Sequence, residues 1–453
     1  MEAIDEAMRR IVHGRRWIVA FDVSAAAADT VERLRRWGAS DVLVVSATEG
    51  LGDQPAGVLV HHTRSRGATI IDGIRAYFRS IAQPAPELAR LVDEFDPDGA
   101  ALVLAPPFAS GDGYLGRRLY GGRRIEWTAL EDKTTVDRLW DEAGVRRAPR
   151  RVVAVTDAAQ AAADVAGPLG TVWVADNKQG WHGGGDYVRW VPDPAAAAEA
   201  AEWFADRADL VRVMPFLDGL PCSIHGFVTA SGAAAFRPVE MVVLRRLDRA
   251  GFVYAGPSTF WDPPADVRES MRGIAVRVGQ HLARRVGYLG PFSVDGVCSA
   301  DGFLPTELNP RLSAGIGAQT AGMDIPLEMM TMALIEGDLD IDAEWLERRV
   351  VDWADSHRVG GMGLPVDVGA EPASTHLRFV GGVAQETTAE AAEATMEIGP
   401  APTGGFVRMR LLAERVGVGG SSAPYAVAAA ALAATMWGIT VPPLAAALDR
   451  CSE

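Results

Sequence analysis

The first 130 residues alternate short apolar runs with longer amphipathic stretches, and this alternation restricts the possible folds more than any other feature of the chain. Four apolar runs predict strands, at residues 17–21, 41–45, 58–61 and 100–105. Three intervening stretches predict helices, at residues 25–37, 70–81 and 87–95. Because strands that alternate with helices form parallel sheets covered by helices, we expect an α/β domain over residues 1–130. No Gly-x-Gly-x-x-Gly motif follows the first run, which argues against a dinucleotide site.

The rest of the chain predicts two further units, since 453 residues are too many for a single hydrophobic core. Residues 131–344 contain helical stretches, two hairpin patterns and a glycine-rich loop. We expect them to form an α+β domain of two subdomains, with a hinge near residues 205–219. Two glycine pairs and a final helical stretch follow, and residues 345–453 are predicted to form a small C-terminal domain.

One of the hairpin patterns brings oxygen-bearing side chains together. Folding residues 292–309 about Asp301-Gly302 places Asp295 within about one residue of Glu307. Glu307 and Asn309 are two positions apart on a strand and therefore share a face. Two carboxylates and an amide oxygen suit Mg²⁺, and no soft ligand that would favour zinc is nearby. The alternative is a solvated hairpin with ordinary surface polar groups, which the apolar character of both strands disfavours.

The basic residues are almost all arginine, and this makes the two lysines informative. The chain has 44 basic residues, of which only Lys133 and Lys178 are lysine. Lysine is a compact point charge that suits phosphate oxygens in a tight pocket. Lys133 lies at the start of a predicted helix, and Lys178 ends a predicted strand just before the glycine-rich loop of residues 180–185. Glycine allows backbone N–H groups to approach phosphates closely. Chance survival of the lysines and an inert loop remain the alternative.

These motifs, in this order, resemble the ATP-grasp superfamily over roughly residues 130–335. The shared features are Lys133, Lys178, the glycine-rich loop, an apolar hinge strand at residues 213–219, and Glu307-x-Asn309-x-Arg311. The resemblance implies an ATP-grasp fold, here preceded by a parallel-sheet domain and followed by the C-terminal domain. It implies ATP and Mg²⁺, or Mn²⁺, as cofactors.

The resemblance also implies a role for each matching residue. Lys133 and Lys178 would contact the phosphates of ATP, under a lid that contains Gly183 and Gly184. The hinge would bind the nucleoside through Pro215, Phe216, Leu217 and Asp218. The metal ligands would be Asp295, Glu307 and Asn309. Arg311 would stabilise an acyl phosphate or a tetrahedral intermediate, with Lys178 beside it as a catalytic cation.

Two positions depart from the usual pattern of that superfamily. Met214 stands where the hinge commonly begins with a glutamate, and Pro221 stands where many members place a carboxylate that binds the ribose. Asp218 could replace that carboxylate. Recognition of adenine by backbone groups does not depend on either position. The sequence does not predict which residue binds the ribose.

The implied activity is that of a ligase. Such an enzyme phosphorylates a carboxylate with ATP, passes the acyl group to an amine to form an amide or peptide bond, and releases ADP and phosphate. The layout of the chain is similar to that of the pheganomycin-type peptide ligases of natural-product biosynthesis. A small-molecule kinase with the same fold and a degenerate nucleotide-binding regulator are the alternatives. Glu240 could face the nucleotide or the substrate.

Charge and cysteine content restrict the partners and the compartment. The net charge of −15 argues against bulk binding to nucleic acid or an anionic membrane. We therefore expect a small-molecule carboxylate and an amine or peptide as the partners, with a homodimer left open. Three cysteines make no disulfide framework, and the charged N-terminus lacks the apolar core of a signal peptide. These features predict a cytoplasmic enzyme.

Overall fold

The computed structural model describes residues 2–178, 180, 183–366 and 371–447. The N-terminal part of the chain contains six strands, which form one sheet, and four helices. The strands are β1 (Arg16–Ala20), β2 (Asp41–Ser46), β3 (Leu59–His62), β4 (Leu102–Leu104), β5 (Gly113–Tyr114) and β6 (Arg117–Leu119). The helices are α1 (Glu2–Val12), α2 (Ala28–Arg36), α3 (Ile70–Ala82) and α4 (Pro86–Phe95).

The strand order of this sheet is β3-β2-β1-β4-β6-β5, and every adjacent pair except β5 and β6 is parallel. Successive residues of β1 point to opposite faces, so Trp17 and Ile18 enter different cores. Helices α1 and α2 pack on the first face, and Tyr77 of α3 packs on the second. The prediction of a parallel sheet covered by helices is confirmed.

A four-stranded antiparallel sheet follows, with the order β7-β10-β8-β9. Its strands are β7 (Arg151–Ala154), β8 (Thr171–Ala175), β9 (Val188–Val191) and β10 (Leu210–Pro215). The helices of this part are α5 (Ile125–Thr128), α6 (Val136–Glu142), α7 (Ala158–Val165) and α8 (Pro194–Ala205). Helices α7 and α8 are rich in alanine, which lets them pack closely against Trp173 and Val213 of the sheet. Lys178 and the glycine-rich loop lie between β8 and β9.

The largest sheet has the order β13-β12-β11-β14-β15 and is antiparallel throughout. Its strands are β11 (Gly219–Thr229), β12 (Gly232–Arg246), β13 (Phe252–Ser258), β14 (Gly290–Ser299) and β15 (Gly302–Asn309). The helices are α9 (Ala265–Val286), α10 (Ala314–Thr320), α11 (Leu327–Glu336) and α12 (Ala343–Ser356). The long helix α9 covers one face, where Ile274, Val278 and Leu282 are buried. The hairpin predicted about Asp301-Gly302 is the β14–β15 pair.

The C-terminal part forms a five-stranded antiparallel sheet with the order β16-β20-β19-β17-β18. Its strands are β16 (Gly361–Val366), β17 (Ala373–Val380), β18 (Val383–Thr387), β19 (Ala394–Ala401) and β20 (Gly404–Leu411). Two helices and a short strand follow: α13 (Ala413–Val416), α14 (Ala423–Trp437) and β21 (Leu444–Ala445). Strand β21 pairs with β12 of the largest sheet.

Two of the cysteines lie in the described part of the chain. Cys222 is buried on β11. Cys298 of β14 is disulfide-bonded, which the sequence did not lead us to expect.

Within the described ranges, no helix combines the length and the apolar character that a membrane span requires.

Candidate active site

The predicted metal ligands meet at one end of the β14–β15 hairpin. Asp295 pairs directly with Glu307, and Ser293 pairs with Asn309. The side-chain amide of Asn309 donates to Asp295 Oδ2 over 2.8 Å. Burial, and after it the neighbouring Glu307 carboxylate, raises the pKa of Asp295 above its ordinary value. Two carboxylates that oppose each other's ionisation in this way are suited to a divalent cation.

The oxygen ligands at this hairpin suit Mg²⁺, which also binds phosphate oxygens, better than they suit a cation that is bound by protein side chains alone. In the described part of the chain, no group of three or more histidine, cysteine, aspartate or glutamate side chains gathers to hold a metal. A cation at Asp295 and Glu307 would therefore need the amide oxygen of Asn309 and oxygens from a bound phosphate. Mg²⁺ is commonly bound in this manner, by one or two carboxylates and the phosphates of a substrate.

A bulge at Thr306 interrupts the hairpin next to these ligands, because Gly296 pairs with Pro305 whereas Asp295 pairs with Glu307. The Thr306 carbonyl accepts a 3.1 Å hydrogen bond from Arg212 Nη1. Arg212 in turn makes a bidentate ion pair with Asp137 of α6, at 2.7 Å for both contacts. Both side chains are 1% exposed. The hairpin is therefore tied to the four-stranded sheet and to α6 by one buried guanidinium.

Lys133 points at the same hairpin. Its ammonium lies 3.0 Å from Glu307 Oε1, and its side chain is 6% exposed. The neighbouring Asp132 accepts from the backbone N–H and the hydroxyl of Thr134, and these bonds fix the turn before α6. The predicted phosphate ligand and the predicted metal ligand thus share one site.

Arg311 is held just beyond the end of β15. Its Nη2 donates to Asn309 Oδ1 over 2.8 Å, and its Nε donates to Glu131 Oε1 over 2.8 Å. Arg123 Nη1 donates to the same Glu131 oxygen over 2.5 Å. The guanidinium of Arg311 also lies over the ring of Phe108, 4.4 Å from its centroid. Because two arginines share one buried glutamate, the cluster keeps a net positive charge that can contact a bound anion.

Lys178 lies apart from this cluster, on the four-stranded sheet. Its Nζ is 2.5 Å from Asp209 Oδ1, and the two side chains are 45% and 68% exposed. The hydrogen bond to Asp209 raises the pKa of Lys178, so the ammonium is charged at neutral pH. Because an exposed ion pair is held weakly, Lys178 can leave Asp209 for a stronger anion.

The glycine-rich loop contacts the N-terminal part of the chain. Asp186 Oδ2 accepts a 3.0 Å hydrogen bond from Thr69, the residue that caps α3. Gly184 has a φ of +61° and would place a Cβ 3.8 Å from Ile71. Gly183 belongs to the same loop, whereas Gln179, Trp181 and His182 lie outside the described residues. The loop therefore bridges the four-stranded sheet and α3.

The predicted hinge residues connect two sheets. Pro215 ends β10, and the Phe216 N–H donates to the Gly170 carbonyl over 3.0 Å. Leu217 packs against a small apolar cluster of Ala148, Met214 and Leu304, where Leu304 belongs to the metal-site hairpin. Asp218 is exposed. The hinge is therefore packed against the β14–β15 hairpin through apolar contacts.

A buried polar network behind the hairpin was missed by the sequence reasoning. Gln319 Oε1 accepts from the Arg237 N–H over 3.0 Å, so its amide nitrogen faces His225 Nδ1 at 3.2 Å. His225 is therefore the tautomer whose Nε2–H points to Ser223, 3.3 Å away. Burial lowers the pKa of His225 to about 3. A Cβ at Gly315 would lie 2.3 Å from His225 Nε2, so this position requires glycine.

Glu131 and Arg123 were also missed. Glu131 precedes Lys133 by two residues and reads as an ordinary acidic residue at a helix start. Its partner Arg311 is 180 positions away, so no local pattern reveals the contact. Glu240, which could have faced a ligand, is instead bound by the Ser421 hydroxyl and the Ser422 N–H, at 2.5 and 2.7 Å.

A small cavity of about 50 Å³ opens beside Arg311. Its walls are mostly apolar, and Arg123, Arg311 and Glu328 are its charged lining residues. Burial raises the pKa of Glu328, in the first turn of α11, to about 7. A cavity of this size has room for a few water-sized groups, such as the reactive end of a substrate.

Solved structures with the same overall fold identify the architecture. The biotin carboxylase of Campylobacter jejuni, in complex with β-γ-ATP, matches 98% of this chain and 94% of its own, with a TM-score of 0.56 and 11% identity. The biotin carboxylase domain of Hydrogenobacter thermophilus 2-oxoglutarate carboxylase, solved with MgADP and bicarbonate, matches 95% of this chain and 91% of its own, with a TM-score of 0.53 and 12% identity. The chain has the ATP-grasp fold.

A third structure gives the same result over part of a longer protein. Rhizobium etli pyruvate carboxylase matches 88% of this chain but 36% of its own, with a TM-score of 0.52 and 14% identity. No protein-family model and no curated protein matches the sequence. At identities this low, the similarity shows the fold alone, and the site and the reaction are argued from this chain's own residues.

Proposed function

We propose that this protein is an ATP- and Mg²⁺-dependent ligase that converts a carboxylate to an acyl phosphate and transfers the acyl group to an amine. The observation that carries the proposal is the convergence of Lys133, Asp295, Glu307, Asn309 and Arg311 at one end of the β14–β15 hairpin. Similar ATP-grasp structures contain MgADP or β-γ-ATP, which supports a nucleotide at this position.

Each group has a defined task in that reaction. Asp295, Glu307 and Asn309 would hold Mg²⁺, which would neutralise charge on the transferring phosphoryl group. Lys133 would leave Glu307 for a phosphate oxygen once the cation binds that carboxylate. Lys178 would leave Asp209 and bind the phosphates from the side of the glycine-rich loop. The backbone of the hinge at Pro215, Phe216 and Leu217 would bind the edge of the adenine ring.

Arg311 would act at the acyl group. The substrate carboxylate attacks the γ-phosphorus, the bond to ADP breaks, and an acyl phosphate forms. The neutral amine then attacks the carbonyl carbon, phosphate leaves with its electron pair, and the nitrogen loses one proton to a base. Negative charge develops on the carbonyl oxygen in this second step, and a guanidinium fixed by Asn309 and Glu131 can stabilise it.

A product assay tests the proposal directly. The purified protein is incubated with ATP, Mg²⁺ and a panel of carboxylic acids, with and without amines, and with hydroxylamine as a trap. We expect ADP and phosphate, with a hydroxamate when the amine is withheld. A stable phosphorylated product would identify a kinase instead, and AMP with pyrophosphate would exclude the acyl phosphate mechanism.

A further inference from the structure

A large groove lies between α3 and α6, and its charge is opposite to that of the whole protein. Its volume is about 1200 Å³. Six arginines line it: Arg75, Arg79, Arg123, Arg138, Arg150 and Arg285. The only carboxylates among its lining residues are Glu126 and Asp132. A cationic groove of this kind on a chain of net charge −15 concentrates anions at that place.

Most of these arginines are held in position by carboxylates outside the groove lining. Arg138 and Arg285 both pair with Glu142, and Arg150 pairs with Asp137. Arg79 is exposed and has no ion pair among the residues that the structure describes. A guanidinium has five N–H donors, so a single carboxylate partner leaves several of them for a ligand. The ion pairs therefore order the side chains and only partly neutralise the groove.

The groove adjoins the proposed phosphate site, since Asp132, Thr134 and Asn177 line it, and it leads to the proposed site of acyl transfer. Neither Lys133 nor Glu307 lines it. Arg123 lines both the groove and the small cavity, and it shares Glu131 with Arg311. Phe108 lines the groove and lies under the Arg311 guanidinium. A molecule lying in the groove can therefore reach Arg311 with one end.

We propose that this groove binds an acidic peptide as one of the two substrates, with one end of the peptide at Arg311. This inference rests on the proposed ligase function, which it deepens by naming a substrate class. The volume exceeds the 300–1,000 Å³ typical of small-molecule pockets, so the ligand is elongated. Spaced guanidiniums match spaced carboxylates, while Ile74, Phe78 and the exposed Ile125 provide apolar contacts between them.

A peptide fits this site better than a nucleic acid does. A peptide carries the terminal carboxylate or amine that the proposed reaction consumes at Arg311, and a nucleic acid carries neither. Asn177 and Gly180, on either side of Lys178 in the sequence, also line the groove, so a bound peptide would lie near that lysine.

Fluorescence anisotropy with labelled hexaglutamate, compared with labelled hexaglutamine, tests the groove without requiring turnover. The variant Arg79→Glu/Arg138→Glu changes one exposed arginine on each wall and leaves the buried ion pairs intact. Arg90→Glu/Arg348→Glu is the matched control, since both arginines are exposed, pair within their own helices and lie outside the groove. We expect hexaglutamate to bind more tightly than hexaglutamine, the groove variant to weaken binding at least tenfold, and the control to change it less than twofold.

Three results would overturn the inference: equal binding of the two peptides, equal loss in both double variants, or tighter binding of an oligothymidylate of the same charge. Because the assay measures binding alone, it is independent of the ligase proposal. If hydroxamate forms from small acids while hexaglutamate does not bind, the groove assignment fails and the ligase proposal stands. If hexaglutamate binds in the groove but no carboxylate supports ADP release, the groove stands and the ligase proposal fails.

Discussion

Lys133 and Glu307 form an ion pair of 3.0 Å between a lysine suited to phosphate and a carboxylate suited to Mg²⁺. We expect a bound nucleotide and its cation to replace that contact. The pair therefore predicts that metal binding and nucleotide binding depend on each other, since a cation bound to Glu307 alone would leave the buried Lys133 ammonium without its partner.

The Glu307→Gln substitution tests this dependence. Loss of one carboxylate weakens the cation site, so the Mg²⁺ concentration for half-maximal activity should rise by roughly tenfold or more, in line with the loss of a charged contact. Glu397→Gln is the matched control, because Glu397 pairs with Arg408 at 2.6 Å in the C-terminal sheet. An unchanged Mg²⁺ titration in Glu307→Gln and in Asn309→Ala would show that the hairpin does not bind the metal.

Lys178 should matter for turnover and not for stability. Lys178→Ala should raise the KM for ATP and nearly abolish activity, because a phosphate loses its cation. Its contact with Asp209 is exposed and screened by solvent, so the melting temperature should hardly change. Lys178→Arg should also be poorly active, since a planar fork does not replace a point charge. Full activity of the arginine variant would refute this role, and Asp209→Asn serves as the control for the lost ion pair.

Arg311 should act mainly on the transition state. Arg311→Ala should lower kcat by on the order of 10²–10³ with a smaller effect on the KM for ATP. Carboxylate oxygen labelled with a heavy isotope should appear in the released phosphate, and hydroxylamine should trap the acyl phosphate. A higher KM for ATP with an unchanged kcat would instead indicate that Arg311 mainly binds the nucleotide.

His225 should make stability depend on pH. Its pKa is about 3 in the folded protein, below its ordinary value of 6.5, because burial disfavours the charged form. The unfolded chain therefore binds a proton that the folded protein excludes, and stability falls as pH drops below about 6.5. Between pH 6.5 and 5 the loss is roughly 2 kcal/mol, from 1.36 kcal/mol per pH unit.

The measurement for His225 is urea denaturation at several pH values. His225→Gln should be less stable than the parent at pH 7.5 but should lose less stability between pH 7 and 5. Parallel pH profiles for the two proteins would mean that other groups cause any acid destabilisation. His281→Gln is a useful comparison, because His281 is near the surface and close to Glu142.

The register of the β14–β15 hairpin could be predicted to within about one residue, because it depends on the local turn at Asp301-Gly302. The pairs next to the turn would place Asp295 opposite Thr306, and the bulge at Thr306 shifts its partner to Glu307. The bulge at Thr306 could not be predicted, because the Arg212 that binds its carbonyl lies 94 positions away. The parallel sheet could be predicted for the same reason, because its strands and helices alternate within short distances along the chain.

The partners of the other site residues depend on tertiary contacts that leave no local signal. Glu131 joins Arg123 to Arg311, and only folding brings the second arginine near. Likewise, Asp209 accepts a hydrogen bond from Lys178, which is 31 positions away in the sequence. The scarcity of lysine predicted that Lys133 and Lys178 are functional residues. It did not predict which carboxylates they pair with in the absence of ligand.

The last described strand, β21, pairs with the end of β12 in the largest sheet, and Glu240 of β12 is bound by Ser421 and Ser422. Glu240 is 1% exposed, so loss of those two serines would remove hydrogen bonds from a buried carboxylate. The C-terminal segment is therefore not an exchangeable module. A chimaera that replaces it with the corresponding part of another protein of the ATP-grasp fold would keep Glu240, and the new segment would have to supply both the serine pair and the strand that pairs with β12.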